Sequence, residues 1–179
     1  MYFQCYNKRI CLYQKKSQFS YSRLYLYYYQ RKSTKTINED TGSSVANGLR
    51  ALCQYGVCAE RNHPYSLPFN KEPSYCAKLN GSMNKIKKFK FVSPKDFKRT
   101  LIDYEVPIIT GLYLPESFES GDEEIDYEDP VISTSKGHCV LVYGWEKDHY
   151  LAKNSWADMP WLRIPFKYNQ FSDSWALIE

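Results

Sequence analysis

The feature that most constrains this chain is the punctuation of its last third. Four short apolar or alternating runs, HCVLVYGW (138–145), HYLAKNSW (149–156), WLRIPF (161–166) and SWALI (174–178), are separated by turn residues. Runs of that length and spacing suit an antiparallel sheet or a small barrel. VPIITGLYL, starting at Val106, reads as a buried strand ahead of them. The first half has a different rhythm. In YSRLYLYYYQR (21–31), Leu24, Tyr25, Tyr28 and Tyr29 fall at spacings that suit a helical face, and a strand fits them too. Val45, Leu49 and Leu52 predict a helix that Gly56 stops. Pro64, Pro68 and Pro73 make 62–75 a loop. Ser93-Pro94 reads as an N-cap and first helical residue, with Phe97 and Leu101 on one side of the short helix that follows. A helical first half joined to a β-rich second half is an α+β architecture.

Size and composition narrow the function classes. A chain of 179 residues with 43% apolar and 25% charged residues is expected to form a single globular domain. No apolar run is long enough to span a membrane. Charges interrupt every apolar stretch near the start, so no secretory signal is visible and the compartment stays open. The net charge of +4 is too small to argue for nucleic acid as a partner. Charge is nevertheless blocked out. Residues 1–36 carry bases and no acid, and Lys85, Lys87, Lys88 and Lys90 form a second basic run that reads as an exposed amphipathic strand. The stretch 116–129 holds eight acids, from Glu116 to Asp129, and reads as a solvated, mobile loop. Six cysteines do not prove disulfides, and a reducing compartment is the milder assumption. Cys53, Cys58, His63 and Cys76 do not have a common zinc spacing, so neither a metal nor a cofactor is expected.

The chemistry concentrates in one predicted hairpin. Gly137-His138 opens one strand, Lys153-Asn154-Ser155-Trp156 closes the next, and Glu146-Lys147-Asp148 makes the turn. Antiparallel pairing puts His138 and Asn154 at the same end. An asparagine oxygen bonded to an imidazole would fix its orientation and tautomer, the task of the orienter in a nucleophile–base–orienter set. Trp156 is placed to cover that bond. Cys139 follows His138 directly, so strand alternation points it to the opposite face.

GHCVLVYGW followed by KNSW resembles the papain-like cysteine protease family, whose pattern is Gly-His-Ala-Val-x-x-x-Gly-Tyr and then Lys-Asn-Ser-Trp-Gly. SRLYLYYYQR resembles a Ser-Arg-Leu-Phe-x-Tyr-Tyr-Asn-x-Arg segment of bacterial and large-DNA-virus members. EDTGSSVANGLRALCQYGVCAERNHPY resembles their Asp-x-Gly-Ala-Ser, helix, Tyr-Gly-Val-Cys-x-Glu and Pro-Tyr sequence. IPFKY and SDSWAL match the closing strand and tail, so the likeness runs over 19–179.

The resemblance implies a single papain-like peptidase domain over 1–179, with two lobes and the active site between them. Residues 1–18 would be an atypical N-terminal segment. Residues 19–104 would form a mainly helical left lobe, truncated relative to the family. Residues 105–179 would form an antiparallel β-barrel right lobe carrying the acidic loop 116–129. His138 would be the general base and acid, Asn154 its orienter, Trp156 its shield and Gly137 part of the substrate-side lining. The substrate would be a peptide or protein, and the chain a monomer. The family's nucleophile lies in a Gln-x-x-x-Gly-x-Cys segment, and no such segment precedes Ser22 here. A chain with no usable nucleophile is therefore the first reading; among the cysteines, Cys5, directly after Gln4, is the first candidate nucleophile and Cys11 the second. The Gly that follows Asn-Ser-Trp in the family is replaced by Ala157-Asp158-Met159-Pro160, which shortens that loop. The expected activity is therefore that of a cysteine-type endopeptidase homologue. The alternative is a catalytically inactive or truncated product acting as a peptide- or protein-binding module.

Overall fold

The computed structural model describes residues 20–115, 118, 123–126, 128, 137–156 and 158–178. They divide into two compact units, one ending at Phe89 and the other running from Lys90 to Ile178.

The first unit is built from α1 (Arg23–Thr34), α2 (Val45–Gln54) and α3 (Tyr75–Ser82), with a 3-10 turn at Glu60–Asn62. Each α-helix starts at a serine. Ser22, Ser44 and Ser74 accept hydrogen bonds from the backbone N–H groups of Tyr25, Asn47 and Ala77, which satisfies donors that a first turn leaves unpaired. Residues 23–34 are helix, and Leu24, Tyr25, Tyr28 and Tyr29 are its buried side. Tyr29 stacks on Tyr55 with ring centroids 4.0 Å apart, and Tyr25 lies 4.9 Å from Tyr29. These rings, with Ala51, Cys58 and Ala77, form the core of this unit. Burying an aromatic ring of this size contributes about 1.5–3 kcal/mol before entropy is counted.

Two residues pin the connections. Gly56, just past α2, has φ +70°, and a Cβ there would lie 2.0 Å from the Gly81 carbonyl oxygen, so only glycine fits. Arg31 is fully buried with no carboxylate partner among the described residues. Its guanidinium donates to the carbonyls of Ile37 (2.5 Å), Glu39 (3.2 Å) and Phe69, and it lies over the rings of Tyr27 and Phe69.

The second unit carries most of the sheet. Its strands are β1 (Lys88–Phe91), β2 (Ile108–Tyr113), β3 (Gly137–Glu146), β4 (His149–Lys153), β5 (Trp161–Pro165) and β6 (Phe171–Ile178), in the order β1-β6-β2-β3-β4-β5. The pairings β2–β3, β2–β6, β3–β4 and β4–β5 are antiparallel. The expected barrel is corrected here to an open sheet with β1 and β5 at its edges. A 3-10 turn (Pro94–Asp96) leads into α4 (Phe97–Asp103). Ser93 stands at the N-cap and Pro94 in the first positions of that turn, as the sequence predicts, although the Ser93 side chain makes no capping hydrogen bond. The second unit starts at Lys90, and Val92 and the fully buried Phe97 join its core of Ile108, Leu112, Val140 and Val142. Phe97 meets Tyr150 and Phe171 edge-on, each with centroids 5.3 Å away.

The acidic stretch is not solvated throughout. Phe118 and Ile125 are buried in this same core, at 2% and 1% exposure. No helix among the described residues is long and apolar enough to cross a membrane.

Candidate active site

β3 and β4 form the predicted hairpin. Leu141 pairs with Lys153 and Val142 with Ala152, and a bulge between Val142 and Gly144 shifts the register towards the turn. His138 is the second residue of β3, and Asn154 directly follows β4. The two therefore meet at one end of the sheet, with His138 Nε2 2.7 Å from Asn154 Oδ1.

The loop after Asn154 explains why its side chain is fixed. The Asn154 backbone N–H donates to the Pro160 carbonyl at 2.9 Å, closing the shortened loop, and Met159 is buried in the core below. Asn154 itself is 3% exposed. Its Oδ1 also accepts from the Ser155 backbone N–H at 2.8 Å. That second bond settles the chemistry of the first. A backbone N–H can only donate, so the atom it meets is the amide oxygen, and His138 Nε2 must be the donor to that oxygen. In neutral imidazole this leaves the lone pair on Nδ1. Burial pushes the His138 pKa below its ordinary value, against the Asn154 bond, which raises it. The neutral, Nε2-protonated ring is thus the favoured form.

Two aromatic rings enclose the pair. Trp156 lies 5.0 Å from His138, and Phe118 lies 5.7 Å from His138 and 5.2 Å from Trp156. Trp156 keeps 37% of its surface in solvent and Phe118 only 2%, so Phe118 excludes water at least as well as the tryptophan. The sequence reading did not single out Phe118. The available signal was an isolated aromatic in an otherwise acidic stretch. Gly137 is exposed, opens β3 and pairs with Tyr113.

The candidate nucleophiles Cys5 and Cys11 lie outside the described residues. Cys139 pairs with Gly111 and is exposed, on the opposite side of β3 from the His138 side chain. Cys53, Cys58 and Cys76 belong to the first unit. Burial pushes the Cys58 thiol up to about 11, which disfavours the thiolate. Among the described residues, no group of three or more His, Cys, Asp or Glu is arranged to hold a metal ion.

An imidazole that donates its Nε2–H to an asparagine oxygen, beneath an aromatic cover on an α+β scaffold, has the geometry of the base and orienter of a nucleophile–base–orienter hydrolase. Comparison with known proteins narrows this class. The model of the papain family of cysteine proteases matches residues 3–162, and the chain belongs to that family. An uncharacterised peptidase C1-like protein of Acanthamoeba polyphaga mimivirus is 28% identical over 92% of the chain. The chain spans about 60% of the length of that viral relative. Xylellain, a cysteine protease from Xylella fastidiosa, is 24% identical with a TM-score of 0.80, over 93% of this chain and 73% of its own. A Carica candamarcensis cysteine protease solved in complex with E-64 is 16% identical with a TM-score of 0.65, over 92% of this chain and 80% of its own. At these identities the two solved structures establish the fold alone.

Proposed function

We propose that the chain is a cysteine peptidase homologue whose His138–Asn154 pair serves peptide-bond hydrolysis, with Cys5 as the nucleophile. The observation that carries this reading is the double acceptance by Asn154 Oδ1, which presents Nδ1 of a neutral His138 ring as a base. In the first step that nitrogen takes the thiol proton, and the thiolate attacks the carbonyl carbon of the scissile bond. The C–N bond then breaks as the imidazolium returns the proton to the departing amine, leaving a thioester. In the second step water attacks the thioester, His138 takes its proton, and the regenerated thiol leaves with a carboxylic acid as product. Asn154 acts by holding the ring in place through both steps, and it accepts a stronger hydrogen bond while the ring is charged. Phe118 and Trp156 keep water from competing for that bond. The substrate is a peptide or protein segment, and no metal or cofactor takes part.

Labelling of the folded protein with a peptide-like epoxide, followed by mass mapping, tests the reading. Modification at Cys5 that disappears in His138→Ala is the expected result. A folded sample in which no cysteine is modified overturns it, and peptide binding without turnover would then describe the chain.

A further inference from the structure

His149 opens β4 at the far end of the hairpin from Asn154, and its use is unexplained by the peptidase reading. Its ring is 9% exposed and lies between two carboxylates. Nδ1 is 2.7 Å from Asp148 Oδ1, and Nε2 is 3.0 Å from Glu124 Oε1. A neutral imidazole has one N–H, so one of these contacts would then set a lone pair against a carboxylate. Only the doubly protonated ring donates to both.

The surroundings fit a cation. Glu146 is the cross-strand neighbour of His149, and Pro165 on β5 is its uncharged neighbour on the other side. Arg163 on β5 lies 3.6 Å from Glu124 and 3.7 Å from Glu146. Lys147 sits in the β3–β4 turn with φ +52°. The described residues thus set Glu124, Glu146 and Asp148 around one arginine and the imidazole. The Asp148 carboxyl is held below the usual carboxylate range, first by its own backbone N–H and then by His149.

Glu124 is one of the side chains by which the acidic stretch reaches the sheet. Around it the backbone also docks on β5. Arg163 N–H donates to the Glu123 carbonyl at 2.7 Å, and Ile125 N–H donates to the Arg163 carbonyl at 3.0 Å. Ile125 is buried in the core beneath.

We propose that His149 and Glu124 form a proton-dependent clasp, which holds residues 123–125 on β5. The clasp is closed while His149 carries both protons. Loss of one proton removes a donor and leaves three carboxylates facing a single arginine, so residues 123–125 loosen as the pH rises. The clasp does not depend on the peptidase reading, and the measurement below uses no turnover, so the two can fail separately.

Amide exchange at Ile125, corrected for intrinsic rates, is measured between about pH 5 and about pH 8, the span in which imidazoles change charge. The expected result is protection that falls with rising pH by up to about tenfold per pH unit, the limit for one linked proton. Protection at Val142 in the sheet centre supplies the control. Glu124→Gln should flatten the dependence with the fold intact, and His149→Gln should abolish it. Ile125 protection that is unchanged across the range, or a dependence that survives both substitutions, overturns the clasp.

Discussion

Asn154→Ala isolates the bond on which the site is built. Two donors lose their acceptor, His138 Nε2–H and Ser155 N–H. Ser155 is exposed, so water replaces the oxygen there at little cost. The His138 ring is partly buried, and a buried donor left unpaired costs about 1–3 kcal/mol. One compensation works the other way. Asn154 Nδ2 is buried without a hydrogen-bond partner among the described residues, and alanine removes that unmet donor. The net loss should therefore sit near the low end, about 1 kcal/mol, a fall in Tm of roughly 2–4 °C for a chain of this size. The ring itself should respond more clearly. The Asn154 bond raises the His138 pKa against burial, so its removal lets burial act alone and moves the titration to lower pH. The neutral ring should also lose its preference for a proton on Nε2. Long-range proton–nitrogen NMR of the histidine rings reads both effects, with His138→Gln supplying the assignment. A titration that stays in place or moves upwards in the variant, or a wild-type ring protonated on Nδ1, would refute the tautomer argument and the base role built on it.

Two further outcomes follow from geometry already described. His63 is 1% exposed, and burial holds its pKa below the ordinary imidazole value, as it does for His138. A ring kept neutral in the fold contributes stability that is fully present above the unfolded value of about 6.5 and is lost as the pH falls through the folded value. Urea midpoints should thus drop on acidification more steeply for the wild type than for His63→Gln, and equal slopes would count against the burial argument. Gly56→Ala should cost more than about 1–2 kcal/mol, since it combines positive φ with a Cβ driven into the Gly81 carbonyl. Gly42→Ala has φ +73° but open space around it, so it should cost only the backbone part, about 1 kcal/mol; equal denaturation midpoints for the two would show that the steric clash relaxes.

The hairpin was legible in the sequence because antiparallel pairing is local arithmetic. A short turn at 146–148 leaves little choice about which residues oppose each other, so His138 and Asn154 had to converge. Residues 21–31 were not legible to the same degree. Clustered tyrosines suit either period, and what decides for a helix is Ser22, whose hydroxyl accepts from Tyr25 N–H and donates to the His63 carbonyl, a partner 41 residues away. Strand spacing reports the number of strands and not whether the last meets the first, so it left sheet and barrel open, and among the described residues the sheet is open. Phe118 was hidden for a related reason. Its acidic neighbours dominate any composition window, while its burial depends on a tertiary contact with rings from β3 and from the loop after β4. Ala157-Asp158-Met159-Pro160 shortens the loop, and the Pro160 carbonyl that accepts from Asn154 N–H ties Asn154 down.

The joint around Arg31 has a bearing on how the helical unit withstands acid. Its anchoring partners are peptide carbonyls and aromatic faces, none of which takes up a proton at any pH a protein survives, and a guanidinium stays charged throughout. Interior charges answered by carboxylates lose their counterpart when the carboxylates are neutralised. Among the described residues this one has no such counterpart to lose, so the tie between α1, residues 37–39 and Phe69 is a fixture whose strength is set by shape and desolvation rather than by a titrating partner of its own.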